Sequence, residues 1–329
     1  MILPAAKTIA IMGATGLQGG AVLEAFHELK LNGNNEEQYF IRGITRDPTS
    51  PKAEKVKHLV DEIFQADADD EESMVKAFDG CYGAFIVTNY FEDFDTRHEI
   101  KTTKHIQAAA KKAGLKHVVL STLDDTRKII EKSDNKDSWK VLDEEMGMYV
   151  PHFDGKGMAA EEFCKDVPTT KLLTTMYMEC FINYGMGPSR QTEDGPYGIT
   201  FPMGDSKLSL VSVRDIGRCA CAILRDPTKI GTTQGITSEA LTCEEVAATF
   251  EEVCGFPVKY NSVPRDVYAS FGFPGAEDLA NMFRFFQEFE NHMLTSRHVD
   301  DDLLASIGGP TDKFEDWVRA RRDAFIPPS

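Results

Sequence analysis

TIAIMGATGLQGGAVLEAF (residues 8–26) opens as an apolar run, turns through glycines at 13, 16 and 19, and continues with Val22, Leu23 and Phe26 at helical spacing. Strand, glycine turn and helix in that order let a backbone wrap a phosphate. Gly13 lets the strand turn sharply, Gly16 lets backbone amides approach a pyrophosphate, and Gly19 lets the helix pack closely on the sheet. The helix start adds unpaired N–H groups and the positive end of its dipole. A glycine turn that binds nothing is the plain alternative, and the elements that follow weigh against it.

Those elements alternate. QYFIRGITR (38–46) reads as a second strand, VDEIFQADAD (60–69) contains a third, GAFIVTN (83–89) is a fourth and KHVVLSTL (116–123) a fifth, with helical spacing over 19–29 and 98–113. Near-continuous apolar strands separated by helices mean βαβ units and an α/β, Rossmann-type doubly wound parallel sheet. A ligand then belongs at the carboxyl ends of the strands. Residues 1–175 form the expected nucleotide-binding domain, to which strands from the second half can return. Residues 176–329 form a smaller α/β lobe over the ligand edge. Within it, 185–205 reads as a loop-rich excursion, and 213–224, 242–253 and 276–289 as helices.

Composition limits the function. With 42% hydrophobic and 27% charged residues, the 329-residue chain has apolar material for a sizeable core. A net charge of −17 argues against nucleic-acid binding, which needs clustered Lys and Arg. Acidic runs at 67–72 and 300–302 read as solvated surface. No apolar run is long enough to span a membrane and no secretory leader is evident, so cytoplasm or nucleus is expected. The seven cysteines lack metal spacing and read as small buried hydrophobes.

The strand ends choose the nucleotide. An acid closing the second strand would hold an NAD ribose. Here the strand ends ITRDP, and Arg46 offers a planar fork suited to the 2′-phosphate of NADP(H), although a solvated surface arginine is the plainer reading. Asp67 and Asp69 suit the adenine amino group or a helix cap. Thr88 and Asn89, ending the fourth strand, sit where the adenosine half gives way to the nicotinamide half.

GATGLQGG (13–20), FIVTNYFE (85–92), HFDGKG (152–157) and GFPGAEDLANMFRFF (272–286) together resemble the NmrA-like branch of the atypical short-chain dehydrogenase/reductases, its animal members in particular. The likeness covers residues 7–326, and the last two motifs are far more specific than the glycine turn. It implies an NADP(H)-binding fold that senses the NADPH/NADP balance, regulatory protein partners, and little or no dehydrogenase activity; a homodimer is a separate expectation. It also implies Gly13, Thr15, Gly16, Leu17, Gln18 and Gly19 at the phosphates, Arg46 at the 2′-phosphate, Thr88 toward the nicotinamide and Lys156 near the nicotinamide ribose. The insert NGNNEEQ (32–38) and the residues after STLDD (121–125) depart from the family pattern.

The residue chemistry tests that implication. Working enzymes of the superfamily carry a tyrosine four residues before the lysine, its pKa lowered from about 10. Four residues before Lys156 stands His152, whose ordinary pKa of about 6.5 permits proton donation near neutrality. Geometry speaks against it. Imidazole is shorter than phenol, Gly155 and Gly157 weaken a helix here, and Asp154 suits an N-cap that would leave His152 outside the helix. Ser121 and Thr122 suit a substrate carbonyl or a cap, and Tyr177 or Tyr184 can reach the site from the second lobe. An NADPH-dependent reductase of a quinone or aromatic alkene is therefore the alternative function, with His152 and Lys156 as candidate catalytic residues. Finally, 276–289 carries an apolar stripe of Leu279, Met282, Phe283 and Phe286, widened by Phe285 and Phe289, with Arg284 beside it. It is read as a partner-facing element that shifts on Gly272 and Gly275 with nucleotide occupancy, against the plainer reading of a core helix.

Overall fold

The computed structural model describes residues 6–32, 38–190 and 195–326; most of the NGNNEEQ insert lies outside the described residues. β1 (Lys7–Ile11) runs parallel between β2 (Tyr39–Thr45) and β4 (Gly83–Ile86). β3 (Glu62–Gln65) flanks β2, while β5 (His117–Thr122), β6 (Thr169–Leu173) and a late strand, Thr233–Gly235, continue beyond β4. All seven strands are parallel. The chain builds outward from β1 to β3 and then returns to β4, so the order reverses between β1 and β4. That reversal opens the crevice in which open α/β sheets bind ligands. The doubly wound parallel sheet expected from the alternation is what forms.

Helices cover both faces. On one lies α1 (Leu17–Leu31), whose Val22, Leu23 and Phe26 are fully buried, beside the Val213–Arg225 helix. The two approach so closely that a Cβ on Gly217 would lie 2.2 Å from the Ala21 carbonyl oxygen. The second half of the chain thus returns both a strand and a helix to the sheet. α2 (Pro51–Val56) follows β2. The other face carries α3 (Glu71–Phe78), α4 (Thr96–Ala113) and, after the short α5 (Arg127–Ile130), α6 (Pro151–Asp166).

The second lobe has its own core. Strands Met176–Tyr177, Lys207–Val211 and Glu239–Thr242 form one three-stranded sheet; Ser189–Arg190, Tyr197–Phe201 and Val258–Ser262 form another. The stretch read as loop-rich, 185–205, therefore holds two of these strands, with 191–194 outside the described residues. Its glycines and prolines punctuate short strands whose Ile199 and Phe201 are buried. The Cys243–Cys254 helix starts at a capping box of Thr242 and Glu245.

The Ala276–Glu288 helix corrects an expectation. Met282, Phe283, Phe285 and Phe286 are buried in the second lobe's core, with Leu279 and Phe289 packed against it. Arg284 stacks over Trp139 at 4.2 Å and donates to the Ser138 carbonyl. The stripe is a core surface, since burying four large apolar side chains is worth far more than leaving them for a partner. Five cysteines are buried, Cys164 and Cys180 are half-buried, and all seven are free. No helix among the described residues is long and apolar enough to cross a membrane.

Candidate functional site

Gly13 sits at φ +61°, and a Cβ there would press within 3.3 Å of Val87 at the end of β4, which places the turn at the reversal of strand order. A Cβ on Gly19 would fall 2.2 Å from the Gly13 carbonyl oxygen, so the turn closes only with glycine at both positions. α1 begins at Gly16 with no side chain capping its first turn, while Gly13 and Gly16 stay exposed, Thr15 and Leu17 half-buried. The geometry fits a pyrophosphate: open backbone, a free helix start and no Cβ in the way. Gln18 is buried and donates to the Tyr177 hydroxyl at 2.5 Å. Tyr177 therefore reaches the cleft from the second lobe, whereas Tyr184 points largely into solvent.

Just past the end of β2, Arg46 is exposed and its Nη1 pairs with Glu92 Oε1 at 2.5 Å. Asp67 is exposed, and its Oδ1 receives the Asp69 amide. Asp69 is held by Thr102 and His98. Neither acid caps the next helix: Asp70 does, accepting from Glu72 N and Ser73 N.

Thr88, Glu99 and Lys156 form a partly buried knot at the end of β4. Lys156 Nζ pairs with Glu99 Oε1 and donates to the Thr88 hydroxyl and carbonyl, each at 3.0 Å. Thr88 Oγ1 donates to Glu99 Oε1 at 2.7 Å. Thr122 ties the same helix down by donating to the Lys156 carbonyl at 3.0 Å. Asn89, just beyond, is exposed and opens the short Tyr90–Glu92 turn.

His152 lies inside α6, which starts at Pro151, so the expectation that a cap at Asp154 would leave it outside the helix is corrected. Asp154 instead serves from within the first turn. Its carboxylate accepts from the Tyr149, Val150 and Thr126 amides and the Thr126 hydroxyl. The two glycines do not break the helix because both mark close approach. A Cβ on Gly155 would strike Thr96 Cγ2 at 2.4 Å, and one on Gly157 the Asp125 amide nitrogen at 2.4 Å. His152 Nδ1 lies 2.8 Å from Asp278 Oδ2, both side chains almost fully buried. Tyr90, Phe91 and Phe153 surround the ring at centroid distances of 5.8, 5.2 and 4.9 Å. Burial, with Asp278 and Glu99 nearby, pushes the Tyr90 phenol above its ordinary range, the reverse of what an acid catalyst needs.

A model of the NmrA-like family matches residues 5–315. The chain belongs to the NmrA-like family. An NmrA-like family domain-containing oxidoreductase of Malbranchea aurantiaca is 29% identical over 98% of each chain. Among solved structures, NmrA, a negative transcriptional regulator in complex with NAD, superposes with a TM-score of 0.74 at 20% identity, covering 97% of each chain. Triphenylmethane reductase of Citrobacter sp., complexed with NADP(H), gives 0.70 at 23%, covering 96% of this chain and 99% of that one. Both likenesses carry the fold.

Within this NmrA-like chain the two specific motifs meet: His152 of HFDGKG touches Asp278 of GFPGAEDLANMFRFF. Sequence reading placed Thr88, His152 and Lys156 near one another but missed Tyr90, Glu99 and Asp278. Tyr90 follows Asn89 directly and stands within the FIVTNYFE motif. Glu99 and Asp278 carried no spacing signal at all.

Proposed function

We propose that this protein is an NADP(H)-binding redox sensor and regulator that reports nucleotide occupancy to a protein partner or a second copy of itself, and is not a carbonyl dehydrogenase. One observation carries this reading: the acid position is sealed. Lys156 is neutralised by Glu99, and the residue four before it is a buried histidine set beside Asp278 and Phe91 instead of an activated tyrosine. A nicotinamide supplies hydride when bound. What this chain withholds is an accessible proton donor beside it. The open glycine turn and Arg46 support NADP(H) as the nucleotide, as does the NADP(H) complex of the Citrobacter reductase, which shares the fold.

A second reading has its own support. Phe91, Phe94, Phe271 and Phe273 are partly exposed on two touching loops at the strand ends, a rim suited to a flat aromatic acceptor such as a quinone. The relatives' names as oxidoreductases agree with it. Titration with NADPH, followed by an oxidation assay over carbonyls, quinones and aromatic enones, separates the two. The sensor reading expects one NADPH per chain and no turnover above background. Steady turnover of one acceptor, abolished in Lys156→Ala or His152→Ala, establishes the reductase instead.

A further inference from the structure

Glu92 closes the FIVTNYFE motif but was given no role at the nucleotide. It lies on the short turn Tyr90–Glu92 after β4, yet its carboxylate holds the guanidinium of Arg46 at the end of β2. The pair bridges the two strand ends on either side of β1, across the mouth of the nucleotide crevice. Arg46 also lies in the fields of Asp67 and Asp69. Its one positive charge therefore faces three carboxylates before any phosphate arrives, in a chain of net charge −17. We propose that Glu92 is a specificity-determining residue that competes with the 2′-phosphate for Arg46 and so sets how strongly the chain prefers NADP(H) over NAD(H).

The chemistry is an exchange of anions. A 2′-phosphate brings roughly −1.5 to −2 charges and can engage the guanidinium fork through two oxygens. Glu92 engages it through one oxygen, and Arg46 and Glu92 are 65% and 51% exposed. An exposed monodentate pair is weak, so the phosphate displaces it, but the cost of displacement falls on NADP(H) alone. NAD(H), with only a hydroxyl at that position, binds without disturbing the pair.

Displacement also has somewhere to go. The Glu92 turn continues into Phe94, a non-glycine residue at φ +58° whose ring packs on Gly275, and it contains Phe91, which covers His152. A phenylalanine in the left-handed region is strained and is held there by its surroundings. Freeing Glu92 removes one of the ties on this turn, so NADP(H) and NAD(H) leave the wall over His152 in different states.

This inference rests on the NADP(H) reading above, and the test keeps them apart. Dissociation constants for NADP⁺ and NAD⁺ are measured at low salt in the wild type, Glu92→Gln, Arg46→Ala and the double variant, with hydrogen exchange over 89–95 for the wild type and Glu92→Gln. The expected result is a three- to tenfold rise in NADP⁺ preference in Glu92→Gln, a preference at or below one in Arg46→Ala, and a much smaller effect of Glu92→Gln once Arg46 is gone. In the wild type NADP⁺, but not NAD⁺, should speed exchange over 89–95, and in Glu92→Gln that difference should vanish. An Arg46-dependent preference that ignores Glu92→Gln overturns the competition alone. An equal rise in both backgrounds means simple repulsion between Glu92 and phosphate and overturns it too. A wild type that binds neither nucleotide, or whose preference ignores Arg46, overturns the NADP(H) reading and the competition with it.

Discussion

Lys156 sits in a buried ion pair whose members are 14% and 3% exposed, and that decides what its removal does. Truncating one member of such a pair leaves the other charged and uncompensated, at a cost of about 3–5 kcal/mol, whereas replacing both by apolar residues can be close to neutral. Lys156→Met should therefore lower stability in urea by that amount, and Lys156→Met with Glu99→Leu should recover most of it. A single variant as stable as the wild type would mean the lysine is not tied to Glu99 as described. The same pair explains what could be read in advance. Lys156 and His152 share one motif and one helix, so their spacing was informative. Glu99 lies 57 positions from Lys156 and Asp278 lies 126 from His152, and no local pattern connects residues that far apart.

The Ala276–Glu288 helix is the element whose role changed most between sequence and structure. Its periodicity was legible, but amphipathicity states only that one face needs covering, not what covers it. Phe286 is 1% exposed, packing at 5.9 Å on Phe153 and 6.2 Å on Phe283. Phe286→Ala should cost about 3–5 kcal/mol of stability, measured by denaturant unfolding. A variant that unfolds at the wild-type midpoint would return the stripe to the surface. Helix α6 teaches the converse. Two glycines in seven residues argued against a regular helix on propensity, yet each glycine lies where another backbone or side chain needs the space. Propensity was overridden by contact with α4 and the turn after β5.

At the scale of the whole molecule, two buried groups set opposing pH dependences. Burial at the base of β5 lowers the His117 pKa to about 4 from an ordinary 6.5. Between those values the unfolded chain binds the extra proton, so stability rises with pH and is lost as pH falls from 6.5 toward 4. Burial raises Asp154 to about 6 from 3.8, although the donors from Thr126 and from Val150 and Tyr149 pull it back. There the folded chain binds the extra proton, so the Asp154 contribution falls as pH rises from 3.8 to 6. Comparing urea stability at pH 4.5 and 7 in wild type and His117→Gln isolates the histidine. The variant should lose less stability on acidification, by about 2–3 kcal/mol if the full shift operates. An identical loss in both proteins would remove His117 from the account.

The parallel sheet, the crevice at its strand ends and the glycine turn were fixed by local features alone: apolar runs, helical spacing and glycines within twenty residues. Such features act over a few residues of backbone, so a sequence can state them without knowing the fold. The state of the site was not local. Whether Arg46 is free or held by Glu92, whether His152 faces a substrate or Asp278, and whether the phenylalanine stripe meets a partner or a core depend on which distant segments arrive alongside. Charge pairing and burial are settled by neighbours in space, and only the tertiary structure brings those neighbours together.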